Sequence, residues 1–185
     1  TRGHEFERST PFAAISRLVR GVLGIEPASP PEDAGAALAA IVTRAAPELV
    51  ERLPLLADVA RAQVPPTAVV DAIRPEFRVE QAVVAAVALL RAVATAPLVL
   101  VAEDVDRFDV SSSSLLASLA VQTGEAPWLL VRTTHVAPTD DDVPARVKTF
   151  ASGKIRSALT ASAFRGLQTD PVSVRIRLAL DPSTD

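Results

Sequence analysis

The sequence predicts an α/β fold, in which a parallel β-sheet is flanked by α-helices. Two short apolar runs, residues 98–102 and 128–131, are typical of buried strands. The residues between them are predicted to form one helix, and strand, helix and strand within about 35 residues make a parallel βαβ unit. Neither run alternates with polar residues, so we expect helices to cover both faces of the sheet.

The chain before the first run is predicted to be helical. Thr10 is a suitable N-cap and Pro11 a suitable first residue for a helix that ends at one of two glycines, Gly21 or Gly24. The next stretch keeps a helical spacing of apolar residues, and Pro47 is expected to divide it into two helices.

The longest helix is predicted to begin at residues 74–76 and to end before Pro97. Its middle is apolar nearly all round, which predicts burial on both sides. The side chains expected to pack inward are Phe77, Val84, Val87, Ala88, Leu90 and Val93. Between the two strands, the serines of residues 111–114 resemble an N-cap region for a helix over residues 115–121.

Composition excludes several classes of function. The 185 residues are 49% hydrophobic and 22% charged, as in a folded domain with its own core. A net charge of −3 gives no reason to expect nucleic-acid binding, and the absence of cysteine excludes thiolate metal sites. Arg91 and Pro97 interrupt the apolar stretch 82–102, so we expect no membrane span and a cytoplasmic location.

Two adjacent acids, Glu103 and Asp104, directly follow the first strand, and Asp109 lies shortly after them. Ligands of open parallel sheets bind at the carboxyl ends of the strands, and phosphate-bound Mg²⁺ is commonly held by one or two carboxylates. The acids are therefore candidate metal ligands at the end of a Walker B strand. The alternative is an ordinary acidic loop that caps the following helix.

Five segments occur in the order found in the ATPase domain of STAND-type signalling proteins, which this chain resembles over about residues 2–138. They are Arg-Gly…Glu…Pro-Phe at residues 2–12, Leu-Pro-Leu-Leu at 53–56, Pro-Glu-Phe-Arg at 75–78, Glu-Asp…Asp at 103–109, and an apolar strand followed by Arg-Thr-Thr-His at 128–135. The resemblance implies a P-loop NTPase-like sheet with a large helical insertion. It also implies an ATP- or ADP-binding regulatory module of a signalling or transcriptional regulator, with slow or no hydrolysis.

The resemblance also assigns roles to individual residues. It implies Mg²⁺ held at Glu103 and Asp104, with Asp104 as the catalytic carboxylate. It implies contacts of the nucleotide phosphates with Thr133, Thr134 and His135. For the two threonines, the ordinary alternative is that they simply end a strand, where β-branched residues are favoured. The expected partners are other domains of the same polypeptide or a separate protein, not a membrane or nucleic acid.

The chain departs from the family pattern in three places. It holds no Gly-rich loop ending in Gly-Lys-Ser/Thr, so ATP and Mg²⁺ binding depend on such a P-loop lying upstream of Thr1. Asp106-Arg107-Phe108 stand where relatives carry His-Trp-Ala, and His135 stands at the position of a sensor arginine. These departures favour the alternative function, a non-catalytic protein-interaction domain on a degenerate NTPase scaffold. The core is predicted over residues 1–138, with an unassigned extension of the same domain over 139–185.

Overall fold

A computed structural model describes residues 1–123 and 125–134 of the chain. This part is mostly helical and also contains a small parallel sheet, so the fold is mixed α/β. The predictions for His135 and for the extension over residues 139–185 lie outside the described residues.

Six α-helices and two β-strands make up the described fold. The helices are α1 (Ala13–Leu23), α2 (Pro31–Ala45), α3 (Leu53–Ala60), α4 (Ala68–Asp71), α5 (Pro75–Val93) and α6 (Val110–Gln122). The strands are β1 (Leu98–Ala102) and β2 (Trp128–Arg132). Short 3₁₀ turns occupy Glu5–Glu7, Pro47–Arg52 and Val105–Arg107.

Proline and glycine set most of the helix boundaries, as predicted. Pro47 ends the helical stretch of α2, and Pro75 begins α5 at its first helical position. Gly24 adopts a left-handed conformation with φ of 70° and closes α1, a conformation that glycine takes without strain.

The start of α1 differs from the prediction. The helix begins at Ala13, so Thr10 is not its N-cap and Pro11 lies outside it. Phe12 occupies the capping position with φ of 58°, and no side chain of its own segment caps the helix. The reason is tertiary. The carboxylate of Asp109, far along the chain, accepts the Phe12 N–H that Thr10 was expected to cap.

The two strands pair in parallel, with Leu98 opposite Trp128 and Ala102 opposite Arg132. The predicted strand–helix–strand unit is therefore confirmed. The prediction that helices cover both faces of the sheet is wrong for the described residues, because Val99 and Val101 are 41% and 42% exposed on one face. Leu100 and Trp128 are buried, and they lie in the main apolar core.

Helix α5 buries a different face from the one predicted. Phe77 and Val84 are 42% and 52% exposed, and of the six residues expected inside only Leu90 is fully buried. The inward face instead consists of Ala82, Val83, Ala85, Ala86, Leu89 and Leu90. Small alanines on this face let α5 pack closely against α3 and α6.

The core joins all the long helices to one face of the sheet. Its largest fully buried side chains include Ile15 of α1, Leu38 of α2, Leu55 of α3, Leu89 of α5 and Leu115 of α6. None of the helices in residues 1–123 and 125–134 combines the length and the apolar character that a membrane span requires.

Candidate functional site

The carboxyl ends of the two strands bring two of the predicted site segments together. Because Ala102 lies opposite Arg132, Glu103 and Thr133 leave the sheet side by side. The Thr133 N–H donates to the Ala102 carbonyl at 3.0 Å, and the Val105 N–H donates to the Thr133 carbonyl at 3.0 Å. The structure therefore places the acidic segment beside Thr133.

Asp104 forms the backbone turn that follows β1 at this edge of the sheet. It adopts a left-handed conformation with φ of 53°, which aspartate tolerates better than most residues. Its backbone N–H donates to Thr133 Oγ1 at 3.0 Å, which fixes the turn to the end of β2. Glu103 is exposed whereas Asp104 is only 6% exposed, which continues the alternation of exposed and buried side chains along β1. The two carboxylates therefore occupy different environments.

Residues 1–3 form a third extended segment beside β1, on the edge opposite to β2. Arg2 and Glu103 form a parallel bridge, in which the Glu103 N–H donates to the Thr1 carbonyl at 2.8 Å and the Gly3 N–H donates to the Glu103 carbonyl at 2.9 Å. A Cβ atom on Gly3 would lie 2.5 Å from the Asp104 carbonyl oxygen. Only glycine permits this close approach of the two backbones.

The segment places Arg2 against the buried acid. Arg2 Nε donates to Asp104 Oδ2 at 2.8 Å, and the hydrogen bond and charge of Asp104 raise the pKa of Arg2. The side chain of Arg2 is 60% exposed, compared with 9% for that of Asp104. Sequence reasoning did not identify Arg2 as a site residue. The only signal was the Arg-Gly pair, whose glycine allows the approach.

A second arginine holds this segment from the side of α1. Arg17 Nη2 donates to the Arg2 carbonyl at 2.7 Å. Both terminal nitrogens of Arg17 also donate to the Glu7 carboxylate, at 2.9 and 3.0 Å. The hydrogen bond from Arg17 is the main reason why the pKa of Glu7 lies below its ordinary value. Arg2 is therefore held at its backbone by Arg17 and at its side chain by Asp104.

Asp109, the third acid of the motif, has a structural role. Its Oδ1 accepts the Phe12 N–H at 2.9 Å and the Ser112 N–H at 2.8 Å, and its Oδ2 accepts the Ser112 hydroxyl at 2.5 Å. Ser112 Oγ in turn accepts the Ile15 N–H at 3.1 Å. Asp109 therefore caps the N-termini of α6 and α1 together, and it is 3% exposed. The predicted serine cap for α6 is wrong, because the cap is Asp109.

Two predicted site residues remain. Thr134 follows Thr133 and is exposed. His135 lies outside the described residues. Within residues 1–123 and 125–134, no group of three or more histidine, cysteine, aspartate or glutamate side chains could hold a metal ion.

The chemistry of the two acids allows a hard cation. Glu103 and Asp104 supply hard oxygen ligands, which suit Mg²⁺. Mg²⁺ in nucleotide sites usually retains several waters and is bound through one or two carboxylates and the phosphates, and it does not need an all-protein cage. The exposed Glu103 and the Arg2-paired Asp104 are therefore compatible with Mg²⁺ that arrives with a phosphate ligand. They do not resemble a structural metal site.

An apolar crevice in the core is separate from this edge. It is lined by Val22, Leu90, Leu98, Leu100, Leu119 and Trp128, and neither acid lines it. It has no room for a water molecule. We regard it as packing between the sheet and the helices.

Comparisons with protein-family models, with curated proteins and with solved structures find no match to this chain.

Proposed function

We propose that this chain is part of an ATP- or ADP-binding regulatory module of a signalling or transcriptional regulator, with slow or no hydrolysis. The observation that carries the proposal is the 3.0 Å hydrogen bond from the Asp104 N–H to Thr133 Oγ1. It joins the acidic end of β1 to the threonine end of β2 at the carboxyl edge of a parallel sheet, where ligands of such sheets bind.

In this proposal the module has a P-loop NTPase-like fold, and a P-loop upstream of Thr1 holds the phosphates. Glu103 and Asp104 bind Mg²⁺, which when present neutralises phosphate charge. Asp104 is the proposed catalytic carboxylate for any slow hydrolysis. Thr133 and Thr134 contribute hydroxyl groups near the phosphates, and His135 senses them.

The environment of Asp104 favours nucleotide binding without rapid hydrolysis. Asp104 Oδ2 accepts the Arg2 Nε hydrogen bond at 2.8 Å, and the residue is only 6% exposed. A general base needs an oxygen within hydrogen-bond reach of the attacking water, and this oxygen is already occupied by Arg2. Asp104 is therefore better suited to position a ligand than to drive hydrolysis.

The same loop supports a regulatory role. Residues 103–109 carry the candidate ligand-binding acids at one end and Asp109 at the other, where it caps both α1 and α6. A ligand that shifts the loop at Asp104 changes the geometry at both helix N-termini. Bound nucleotide would bias the arrangement of these helices in this way, as regulation requires.

The test is a thermal-unfolding experiment on the protein that includes the sequence encoded upstream of Thr1. Mg²⁺ with ATP at about one hundred times its dissociation constant stabilises by about 2.7 kcal/mol, which raises Tm by about 5–10 °C in a domain of this size. Alanine at both Glu103 and Asp104 should abolish this shift, whereas alanine at Glu80, an exposed residue of α5, should leave it unchanged. A folded protein without any Mg²⁺-dependent shift would contradict the proposal.

Two observations favour the second function, a non-catalytic protein-interaction domain on a degenerate NTPase scaffold. Arg2 already supplies a cation to Asp104, and Val99 and Val101 expose an apolar strip on the sheet. The partner would be another domain of the same polypeptide or a separate protein. Under this alternative, nucleotide leaves Tm unchanged and partner binding survives alanine at Glu103 and Asp104.

A further inference from the structure

The side chain of Arg2 is anchored in a way that leaves its terminal nitrogens available. Nε alone donates to Asp104 Oδ2. Within the described part of the chain, neither Nη1 nor Nη2 donates a hydrogen bond, and the side chain is 60% exposed. A guanidinium carries five N–H donors in a fixed fork, so four donors of Arg2 have no acceptor among the described residues.

The backbone of Arg2 is held on both sides. Its neighbours Thr1 and Gly3 are paired with Glu103, and its carbonyl accepts the Arg17 hydrogen bond. Arg17 is itself fixed by two hydrogen bonds to the Glu7 carboxylate. Because both the backbone and Nε are fixed, a ligand that binds the terminal nitrogens would restrict little additional freedom of the side chain.

The surface position is also defined. Arg2 lies beside Glu103, and the Asp104 turn that it contacts is fixed to Thr133 of the neighbouring strand. The guanidinium is therefore at the carboxyl edge of the sheet, next to the residues to which the proposed function assigns Mg²⁺ and phosphate. A planar guanidinium with both terminal nitrogens free matches two oxygens of one phosphate group.

We propose that Arg2 binds the terminal phosphates of the nucleotide, with Asp104 as the residue that orients its guanidinium. The inference rests on the proposed function, since it names a further binding residue of that same site. In this arrangement, Nη1 and Nη2 of Arg2 donate to the phosphate oxygens, while Nε donates to Asp104. The positive charge of Arg2 also offsets part of the repulsion between the two acids and an incoming phosphate.

The experiment measures the dissociation constants of Mg²⁺–ATP and of Mg²⁺–tripolyphosphate by calorimetry, with the protein that includes the sequence upstream of Thr1. Removal of a charged bidentate donor in Arg2→Gln should weaken both ligands by about 10- to 100-fold. Arg2→Lys keeps the charge but not the fork, so it should recover only part of the affinity. Tripolyphosphate reports on phosphate contacts without any contribution from the base.

A matched control is available nearby. Arg8 is exposed and donates from Nη2 to the Asp106 carbonyl, so Arg8→Gln removes one positive charge close to the same loop. It should change affinity by no more than about threefold, because salt screens the interaction of an exposed charge that does not contact the phosphate. Circular dichroism and Tm without ligand verify that each variant is folded.

The outcomes separate the two levels of the proposal. If the unmodified protein binds and Arg2→Gln binds within threefold of it, the inference about Arg2 is wrong and the proposed function stands. Full recovery of affinity in Arg2→Lys would also overturn it, because a positive charge without the guanidinium fork would then account for the whole effect. If the unmodified protein binds neither ligand, the proposed function fails and the inference fails with it.

Discussion

The carboxylate of Asp109 accepts the backbone N–H of Phe12 at 2.9 Å, although the two residues are 97 positions apart. This hydrogen bond holds Phe12 in its left-handed conformation at the start of α1. The same Oδ1 accepts the Ser112 N–H at the start of α6. One buried side chain thus satisfies donors of two helices, and it connects the loop after β1 to both of them.

Asp109→Ala should strongly destabilise the protein. It removes the caps of α1 and α6 and leaves the buried Phe12 N–H without an acceptor, at a cost of about 2–4 kcal/mol in the free energy of unfolding. Urea denaturation measures this loss.

Asp109→Asn keeps one acceptor oxygen and should lose less of the free energy of unfolding. As a paired comparison, Ser112→Ala should be destabilising and Ser113→Ala, at an exposed position of the same helix, nearly neutral. Equal effects at the two serines would contradict this account.

Two glycines should respond in opposite directions to alanine. A Cβ atom on Gly35 of α2 would lie 1.8 Å from the carbonyl oxygen of Gln63, whose N–H donates to the Pro31 carbonyl. Gly35→Ala therefore forces the backbone of α2 away from that of Gln63, and it should lower the free energy of unfolding by about 1–3 kcal/mol or more. Gly21 of α1 has nothing within 4 Å of the same position, so Gly21→Ala should stabilise by about 0.5–1 kcal/mol. Both values follow from chemical denaturation, and a stabilised Gly35→Ala would refute the packing described here.

Glu7 should make stability depend on pH in the acidic range. Its pKa in the folded protein is lowered by the Arg17 hydrogen bond, relative to about 4.3 in the unfolded chain. The ion pair therefore contributes stability above the unfolded pKa, and this contribution is lost as the pH falls through the folded pKa. Measurements of the unfolding free energy between pH 3 and 6 should show a shallower decline in Glu7→Gln than in the unmodified protein. Glu80→Gln, on the exposed face of α5, is the matched control. Its unfolding free energy should decline with falling pH as steeply as that of the unmodified protein.

Arg20 should be irreplaceable by lysine. This residue of α1 is only 7% exposed and donates to four backbone carbonyls, those of Ala60 and Arg61 at 2.7 Å and those of Pro27 and Ser29 at 3.1 and 3.2 Å. It thereby caps the C-terminus of α3 and ties it to the loop after α1.

Lysine has three donors on a single nitrogen and cannot reach all four acceptors. Arg20→Lys should therefore lower the unfolding free energy by about 2–3 kcal/mol, because one buried and three partly buried hydrogen bonds lose a charged donor or are weakened. Arg44→Lys, at an exposed position of α2, should change it by less than about 0.5 kcal/mol. A similar loss in both variants would show that the buried network is not the cause.

The site was partly predictable. The adjacency of the acidic segment and Thr133 follows from two apolar runs that pair in parallel, because their carboxyl ends then meet at one edge. The contribution of Arg2 was not predictable from spacing, because it depends on a pairing of residues 1–3 with a strand about one hundred positions later. The separate environments of Glu103 and Asp104 follow from the alternation of side chains along a strand, whereas no periodicity indicates the left-handed turn at Asp104.

The sequence by itself determined most of the secondary structure of the described residues. Proline, glycine and the spacing of apolar residues fix most of the helix and strand boundaries, since these signals act within a few residues. The start of α1 is an exception, because Asp109 sets it from a distance. Only the tertiary structure decided which face of α5 is buried, because a helix that is apolar all round offers packing no preferred side. It also decided the roles of Arg2, Arg20 and Asp109, because each is set by an acceptor or donor that a distant part of the chain brings into contact.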